Sequence, residues 1–293
     1  MRIFFLPLLL LLSACQTPPP LPEWQSPEGR DHADLGAIVD LRSGERLSAE
    51  QLVRWLATAD YVLVGERHDN PDHHALQLWL LQALAEQRSQ GSLLLEMLTP
   101  EQQPAVARAQ TQLRRGEPVG DLPVTLAWSP GWPWTLYGPL VSHALAQPFP
   151  LMPANLTRAE IGQIYREVPR LPDGESTRAE VADALRAQIV ESHCGMLPDS
   201  QVPAMLAVQQ QRDRRMAARL LAAPKPTLLI AGGFHARRDL GAPLHLLDLG
   251  AAGNAQVLML AEVGERVAAQ QADFVWYTPA QPARDYCEQM RKR

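Results

Sequence analysis

Four polar residues of this chain directly follow short apolar runs, and their types suit metal binding or proton transfer. Carboxylates and imidazoles bind divalent cations, and they also act as general acids and bases. If the apolar runs are parallel strands, their carboxyl ends share one edge of a sheet, where ligands bind in such folds. The four residues are Glu66, His68, Glu96 and His235.

Each of these residues also has a purely structural interpretation. Glu66 could cap a helix or pair with Arg67. Glu96 could be a solvated loop carboxylate, and His235 could be a core histidine with satisfied hydrogen bonds. Because several polar residues, including Asn155, follow apolar runs, a shared cleft explains them better together. Buried carboxylates in such a cleft need a cation or a histidine as partner.

The stretch after Glu66 predicts a helix N-terminus. Asn70-Pro71 fits an N-cap followed by proline at the first helical position. His68 precedes this helix, where the helix dipole favours neutral imidazole, the form that binds metals. His73 and His74 fall in the first turn and are either solvated or ligands. The spacing matches no standard zinc pattern, and no HExxH motif is present.

Aromatic and basic residues elsewhere suggest a second kind of site. Residues 116–139 are rich in Pro, Gly and Trp and are predicted to form a long loop that either covers the core or walls a flat ligand. Tyr137 in this region could be an anionic oxygen ligand of ferric iron. Arg237 and Arg238 could clamp carboxylates or face solvent. His193 ends a helical pattern before Gly195, which suits a C-cap.

The elements that must position these residues alternate between apolar runs and amphipathic stretches. This alternation predicts an α/β fold, with a mostly parallel sheet flanked by helices. Residues 157–222 contain no clear strand and predict a small inserted all-helical subdomain. We therefore expect an α/β core from residues 33–156 and 223–293. The predicted strands are Tyr61–Val64, Ser92–Leu95, Pro148–Ala154, Thr227–Ala231, Gln256–Ala261 and Phe274–Tyr277.

The N-terminus predicts export. Residues 1–14 carry Arg2, an apolar run of about ten residues, too short to span a bilayer, and small residues before Cys15. Leu-Ser-Ala-Cys resembles the bacterial lipobox, in which the cysteine is acylated, and Gln16 favours sorting to the outer membrane, with the protein facing the periplasm. Residues 15–32 are Pro-rich and predict an extended tether.

Charge and cysteine content narrow the function further. The net charge is −5, so no basic face for nucleic acid is expected. Cys194 and Cys287 are the cysteines after Cys15. They form a disulfide in an oxidising compartment or remain two buried thiols.

Several motifs, taken in order, resemble a known family. The resemblance covers roughly residues 33–250, and the ordered set is specific although no single motif is. The family is that of the ChaN-type haem-binding lipoproteins, within the wider TIKI and erythromycin-esterase-like superfamily. The motifs are Gly65-Glu66-Arg67-His68, Leu-Leu-Glu96, Gly131-Trp132-Pro133, Ala154-Asn155, His193-Cys194-Gly195, Gln209, Arg212-Asp213 and Gly232-Gly233-Phe234-His235.

The resemblance implies haem binding linked to iron uptake, with a homodimer that encloses two stacked haems. It implies an iron-binding tyrosine, for which Tyr137 and Tyr165 are candidates, supported by a histidine of the partner subunit. His193 and His235 are the candidates for that role. The family usually has Gly-Asn-Gly-His where this chain has Gly-Gly-Phe-His, so Phe234 alters the pocket. Without a CxxCH motif, any haem is noncovalent.

Three functions follow from these observations. The first is an envelope lipoprotein that captures or stores haem for iron uptake, with Arg237 and Arg238 on the propionates. The alternative is a hydrolase that uses a divalent metal held by the four cleft residues named at the outset. The third is a tethered interaction protein whose contact patch is the tryptophan-rich loop.

Overall fold

The computed structural model describes residues 19–251 and 253–291. The predicted signal peptide and Cys15 lie outside the described residues. Among the described helices, none has both the length and the apolar character needed to cross a membrane.

Eight strands form one sheet in the order β2-β1-β8-β7-β3-β6-β4-β5. Strands β3 to β8 pair in parallel, and β1 pairs antiparallel with β2 and with β8 at one end of the sheet. The predicted parallel α/β sheet is therefore confirmed. The strands are β1 Ile38–Asp40, β2 Arg46–Leu47, β3 Tyr61–Glu66, β4 Ser92–Leu95, β5 Leu151–Pro153, β6 Thr227–Gly232, β7 Ala255–Glu262 and β8 Phe274–Thr278.

Eleven α-helices lie in the part of the chain that the structure describes. No strand interrupts residues 154–226, where the helical subdomain was predicted. The helices are α1 Ala49–Ala57, α2 Pro71–Ala85, α3 Gln103–Arg114, α4 Leu122–Thr125, α5 Trp134–Leu145, α6 Arg158–Glu167, α7 Ala179–Ser192, α8 Val202–Ala222, α9 Gly233–Ala236, α10 Ala242–Asp248 and α11 Tyr286–Arg291.

Helices cover both faces of the sheet because successive residues of the central strands are apolar on both sides. Val62 and Val64 of β3 pack into a core formed with α1, α2, α3 and α5. Leu63 points to the opposite face, where Met216 and Leu220 of α8 pack. Burial on both faces explains why these strands read as continuous apolar runs rather than as an alternating pattern.

The region predicted as a long loop, residues 116–139, instead contains α4 and the start of α5. Pro139 lies inside α5, and the Pro- and Gly-rich composition concealed the helical spacing of the buried Tyr137, Val141 and Ala144. The helix matters for the site because it places Tyr137 in the protein interior.

Part of the Pro-rich N-terminal segment packs on the α/β domain. The indole nitrogen of Trp79 donates to the Pro19 carbonyl oxygen at 2.7 Å. The backbone N–H groups of Gln25 and Ser26 donate to the Asp72 carboxylate at 2.6 and 2.9 Å. From Pro19 onward, this segment of the predicted tether therefore lies against the domain.

One disulfide links the helical region to the C-terminal helix. Cys194 follows α7, and Cys287 lies in α11, 93 residues further along the chain. Beside the disulfide, the Tyr286 hydroxyl donates to the Asp69 carboxylate at 2.6 Å, just after β3. These two contacts connect α11 both to the helical region and to the α/β core.

Candidate functional site

The carboxyl ends of β3, β4 and β6 bring the four predicted residues to one edge of the sheet. Glu66 is the last residue of β3 and lies opposite Gly232, the last residue of β6, in the parallel register. Glu96 follows β4 directly, and His235 lies in the short helix α9 that follows β6. The register of three neighbouring strands thus places side chains together that are far apart in sequence.

Glu66 is a buried carboxylate with three side-chain donors. The Tyr137 hydroxyl donates to Oε1 at 2.6 Å, His68 Nδ1 lies 2.8 Å from the same oxygen, and Gln77 Nε2 donates to Oε2. Burial alone would raise the pKa of this carboxyl, but the charge of His74 and the hydrogen bond from His68 lower it to about 2. Glu66 is therefore an anion over the physiological pH range.

His68 connects this carboxylate to the cavity. Its side chain is 41% exposed, and its ring packs edge-on against Trp132 with the ring centres 4.9 Å apart. Burial would lower its pKa, but the hydrogen bond to Glu66 and the charge of Glu96 raise the pKa to about 9. The expectation of a neutral imidazole is wrong for the protein without ligand, because contact with a carboxylate outweighs the nearby helix dipole.

Gly232 makes room for the outer nitrogen of this histidine. A β-carbon at position 232 would lie 2.7 Å from His68 Nε2 and 3.5 Å from a carboxylate oxygen of Glu96. A larger residue at position 232 would therefore displace the His68 ring, and Nε2 faces the strand end rather than the protein core. His68 therefore has one nitrogen fixed by Glu66 and the other directed towards the cavity.

A second histidine at this edge lies between two carboxylates. His235 Nδ1 is 2.6 Å from an Asp213 oxygen, and its Nε2 is 3.5 Å from Glu96. The Gly232 N–H donates to the other Glu96 oxygen at 2.8 Å. Burial alone would lower the pKa of His235, but the two carboxylates raise it. Both imidazole nitrogens of His235 therefore face acidic groups.

Other residues singled out in the sequence have structural roles. His73 is buried, with Nδ1 accepting from the Arg67 N–H at 2.9 Å and Nε2 3.0 Å from the Thr278 hydroxyl. The buried His74 contacts the His68 carbonyl oxygen at 3.0 Å, so neither histidine of this turn is solvated. Asn155 donates to the Glu96 carbonyl oxygen at 3.0 Å and so supports the end of β4.

The candidate tyrosines and His193 do not line the cavity described below. Tyr137 is fully buried, and its hydroxyl is engaged by Glu66. Tyr165 lies on α6. His193 follows α7, with Nδ1 2.7 Å from the Ile189 carbonyl oxygen. Among these candidates, His68 and His235 belong to the described cavity lining, whereas Tyr137 contacts His68, with its hydroxyl 3.2 Å from Nδ1, without belonging to the lining.

A cavity of about 820 Å³ opens at this edge of the sheet. Its walls combine apolar side chains with acidic groups, imidazoles and guanidinium groups. The described lining includes Glu66, Arg67, His68, Glu96, Trp132, Gln209, Arg212, Gly232, Phe234, His235, Arg237, Met259, Arg266 and Val267.

The predicted carboxylate clamp of Arg237 and Arg238 is occupied by the protein itself. Arg237 makes two hydrogen bonds to Asp239, at 2.9 and 2.6 Å. Arg238 donates to Asp273 at 2.7 Å and does not belong to the cavity lining. Both guanidinium groups thus already have a carboxylate partner within the protein.

Several side chains that contact the site residues were not predicted from the sequence, because they lie on helices rather than at strand ends. Asp213 and Gln209 on α8 contact His235, and Gln77 on α2 contacts Glu66. Gln209 and Asp213 did have a signal, since both are part of the motif set that resembles the family, whereas Gln77 had none.

The described residues hold no group of three or more His, Cys, Asp or Glu side chains arranged to bind a metal ion. Instead, the four predicted residues form two carboxylate–imidazole pairs, one with Glu66 and one with Glu96. This arrangement gives no support to a divalent metal held by all four side chains.

Residues 52–246 match the family described as haem-binding uptake, Tiki superfamily, ChaN. No curated protein matches the chain. The structure of ChaN of Campylobacter jejuni with cofacial haem has a TM-score of 0.75 and 29% identity, covering 82% of this chain and 95% of that one. An erythromycin esterase has a TM-score of 0.46 and 14% identity, over 82% and 81% of the two chains.

Proposed function

The chain belongs to the ChaN family of haem-binding uptake proteins in the Tiki superfamily, and from this premise we propose that it binds haem in the cavity beside His68. The observation that carries the proposal is the match to the family over two thirds of the chain, together with the likeness to a ChaN that binds cofacial haem. Three residues of the cavity lining, Glu66, Glu96 and His235, lie within the range that matches the family.

The cavity suits a flat apolar ring that carries acidic groups. Its volume of about 820 Å³ is in the range of small-molecule and cofactor sites. Trp132, Phe234, Met259 and Val267 supply apolar surface, and guanidinium groups supply positive charge. Phe234, which replaces a glycine of the usual family turn, is 52% exposed at this lining and adds apolar area.

His68 is the side chain best placed to bind the iron. Histidines that bind metals commonly donate their other N–H group to a carboxylate, which fixes the orientation of the ring. Glu66 provides that carboxylate, and Tyr137 and Gln77 hold it in place. As an iron ligand, His68 would use a neutral imidazole with Nε2 unprotonated, and Glu66 would hold the remaining proton on Nδ1.

Tyr137 fits the iron less well than His68. Its hydroxyl has no exposure and already donates to a buried anion, and deprotonation beside that anion is opposed by burial and by the charge of Glu66, both of which raise its pKa. His235 is also poorly suited, since both its nitrogens face carboxylates. Tyr165 and His193 stay as alternatives that mutation can test.

We further propose that the protein is an exported lipoprotein, acylated on Cys15 and held on the outer membrane, where it captures or stores haem for iron uptake. The signal-like residues 1–14 and Gln16 support this location. The Cys194–Cys287 disulfide is consistent with it, because disulfides persist in oxidising compartments such as the periplasm. A homodimer that binds two cofacial haems is proposed from the likeness to the Campylobacter protein.

A hemin titration of the full chain in detergent tests this function. We expect a saturable Soret band and a shift to the size of a dimer in gel filtration. His68→Ala should change the position of the band and weaken binding, whereas Tyr165→Phe and His193→Ala should bind as the wild type does. A flat titration, corrected with a detergent blank, would refute haem binding.

A further inference from the structure

More arginine side chains line the cavity than have a carboxylate partner within contact distance. Its lining includes Arg67, Arg212, Arg237 and Arg266. An arginine that lines a cofactor site serves either to stabilise the protein or to receive an acidic group of the ligand. The partners of each guanidinium group distinguish the two roles.

Two of these arginines serve the protein. Arg67 Nη1 lies 2.7 Å from a Glu262 oxygen and 3.1 Å from a Glu265 oxygen. Arg237 makes a paired contact with Asp239. Both guanidinium groups already have carboxylate partners, so their role is to stabilise the cavity wall.

Arg212 differs from them. Among the residues that the structure describes, it makes no side-chain hydrogen bond and no ion pair within 4.0 Å, and its Nε atom is buried without a partner. A buried guanidinium N–H that lacks an acceptor is costly, since it has lost water without replacement. Glu96 lies within electrostatic range, but its oxygens contact Gly232 and His235 instead.

Arg212 and Arg266 enter the lining from different elements. Arg212 lies on α8, next to Asp213, whose side chain contacts His235 on the cavity wall. Arg266 enters the lining from the connection between β7 and β8, and within the described chain it too makes no ion pair or side-chain hydrogen bond. Two unpaired guanidinium groups therefore reach the cavity from two different elements.

We propose that Arg212, together with Arg266, forms the carboxylate-recognition site of the cavity and selects ligands with free acid groups. The inference rests on the proposed haem function, because haem carries two propionates. A guanidinium group binds a carboxylate through two parallel N–H···O bonds, so recognition is directional as well as electrostatic. The site thus discriminates between a porphyrin with free acids and the same porphyrin with esterified acids.

The test compares hemin with hemin dimethyl ester, whose propionates carry no charge. The full chain in detergent is titrated with each porphyrin, and the dissociation constants are compared for wild type, Arg212→Gln, Arg212→Lys and Arg266→Gln. Arg214→Gln is the matched control, since Arg214 lies on the same helix outside the cavity lining.

Wild type should bind hemin roughly ten- to hundredfold more tightly than the ester, as expected for loss of charge-assisted hydrogen bonds. Arg212→Gln should lose most of that preference while it binds the ester as before, Arg212→Lys should recover part of it, and Arg214→Gln should keep it. Arg266 is exposed, so Arg266→Gln should fold as the wild type does. This variant should also reduce the preference for hemin over the ester.

The outcomes separate this inference from the function on which it rests. Equal binding of hemin and ester by the wild type, or full preference in both Arg212→Gln and Arg266→Gln, would overturn the assignment of the arginines while haem binding stands. If the wild type gives no Soret band with either porphyrin, haem binding itself is refuted and this inference with it.

Discussion

Replacement of Glu66 by glutamine tests whether the central carboxylate of the site is held as an anion. The side chain has no exposure to solvent and is surrounded by donors from Tyr137, His68 and Gln77. In the folded protein its pKa is lowered from 4.5 to about 2, although burial opposes this, because His74 and His68 favour the charged form.

The size of the effect follows from the difference between the two pKa values. Each pKa unit corresponds to about 1.4 kcal/mol, so an ionised Glu66 stabilises the fold by about 3 kcal/mol at neutral pH. Because the pKa is depressed in the folded state, this stabilisation is present above pH 4.5 and is lost as the pH falls towards 2. At about pH 3, roughly 1 kcal/mol should remain.

Urea unfolding of wild type and Glu66→Gln between pH 7 and pH 3 measures this contribution. Glutamine cannot ionise, and its amide also meets the donor of Gln77, which adds a cost that does not vary with pH. The free-energy gap between the two proteins should therefore shrink by about 2 kcal/mol from pH 7 to pH 3.

Glu101→Gln, at an exposed position, is the control and should show no such change. A gap that is the same at pH 7 and pH 3 would refute the reasoning, since it would mean that Glu66 is not an anion in the folded protein.

Two further predictions address the surroundings of this carboxylate, and a third addresses the disulfide. Tyr137→Phe should lower stability by about 1–3 kcal/mol in urea unfolding and leave the hemin Soret titration unchanged; a lost band would identify Tyr137 as the iron ligand. Gly232→Ala should weaken hemin binding about tenfold or more in the same titration, since its β-carbon would lie 2.7 Å from His68 Nε2, and unchanged affinity would argue against His68. Cys194→Ser should cost roughly 4–5 kcal/mol, because the bond closes a loop of 93 residues, and a reductant should have the same effect on wild type but none on the variant.

The edge of the sheet was predictable because its signal is local. Glu66 and Glu96 directly follow apolar runs long enough to be buried strands, and the rule that ligands bind at the carboxyl ends of parallel strands then places them together. The ends of β3, β4 and β6 were predicted to within two residues, because these strands are buried on both faces.

What the sequence could not predict depends on contacts between distant segments. Asp213 and Arg212 lie on α8, and the direction of their side chains is set by how that helix packs, which the motif alone does not show. The protonation of His68 was predicted wrongly because the helix dipole is visible in the sequence, whereas the 2.8 Å contact with Glu66 is not. The short strands β1 and β2 have too few residues to show an alternating pattern.

The strand order also has a consequence for how the chain matures. Strand β3 has only β6 and β7 as neighbours, so the residues opposite Tyr61 are Thr227 and Ala255, from the last third of the chain. The chain is synthesised from its N-terminus, so only the β1–β2 and β4–β5 pairs can form before Thr227 has been added. Strand β3 thus stays unpaired until most of the chain has been made, a period in which non-local topologies are exposed to aggregation. A chain that stops short of β6 would lack both the centre of the sheet and the cavity, so a ligand can bind there only after β6 has joined the sheet.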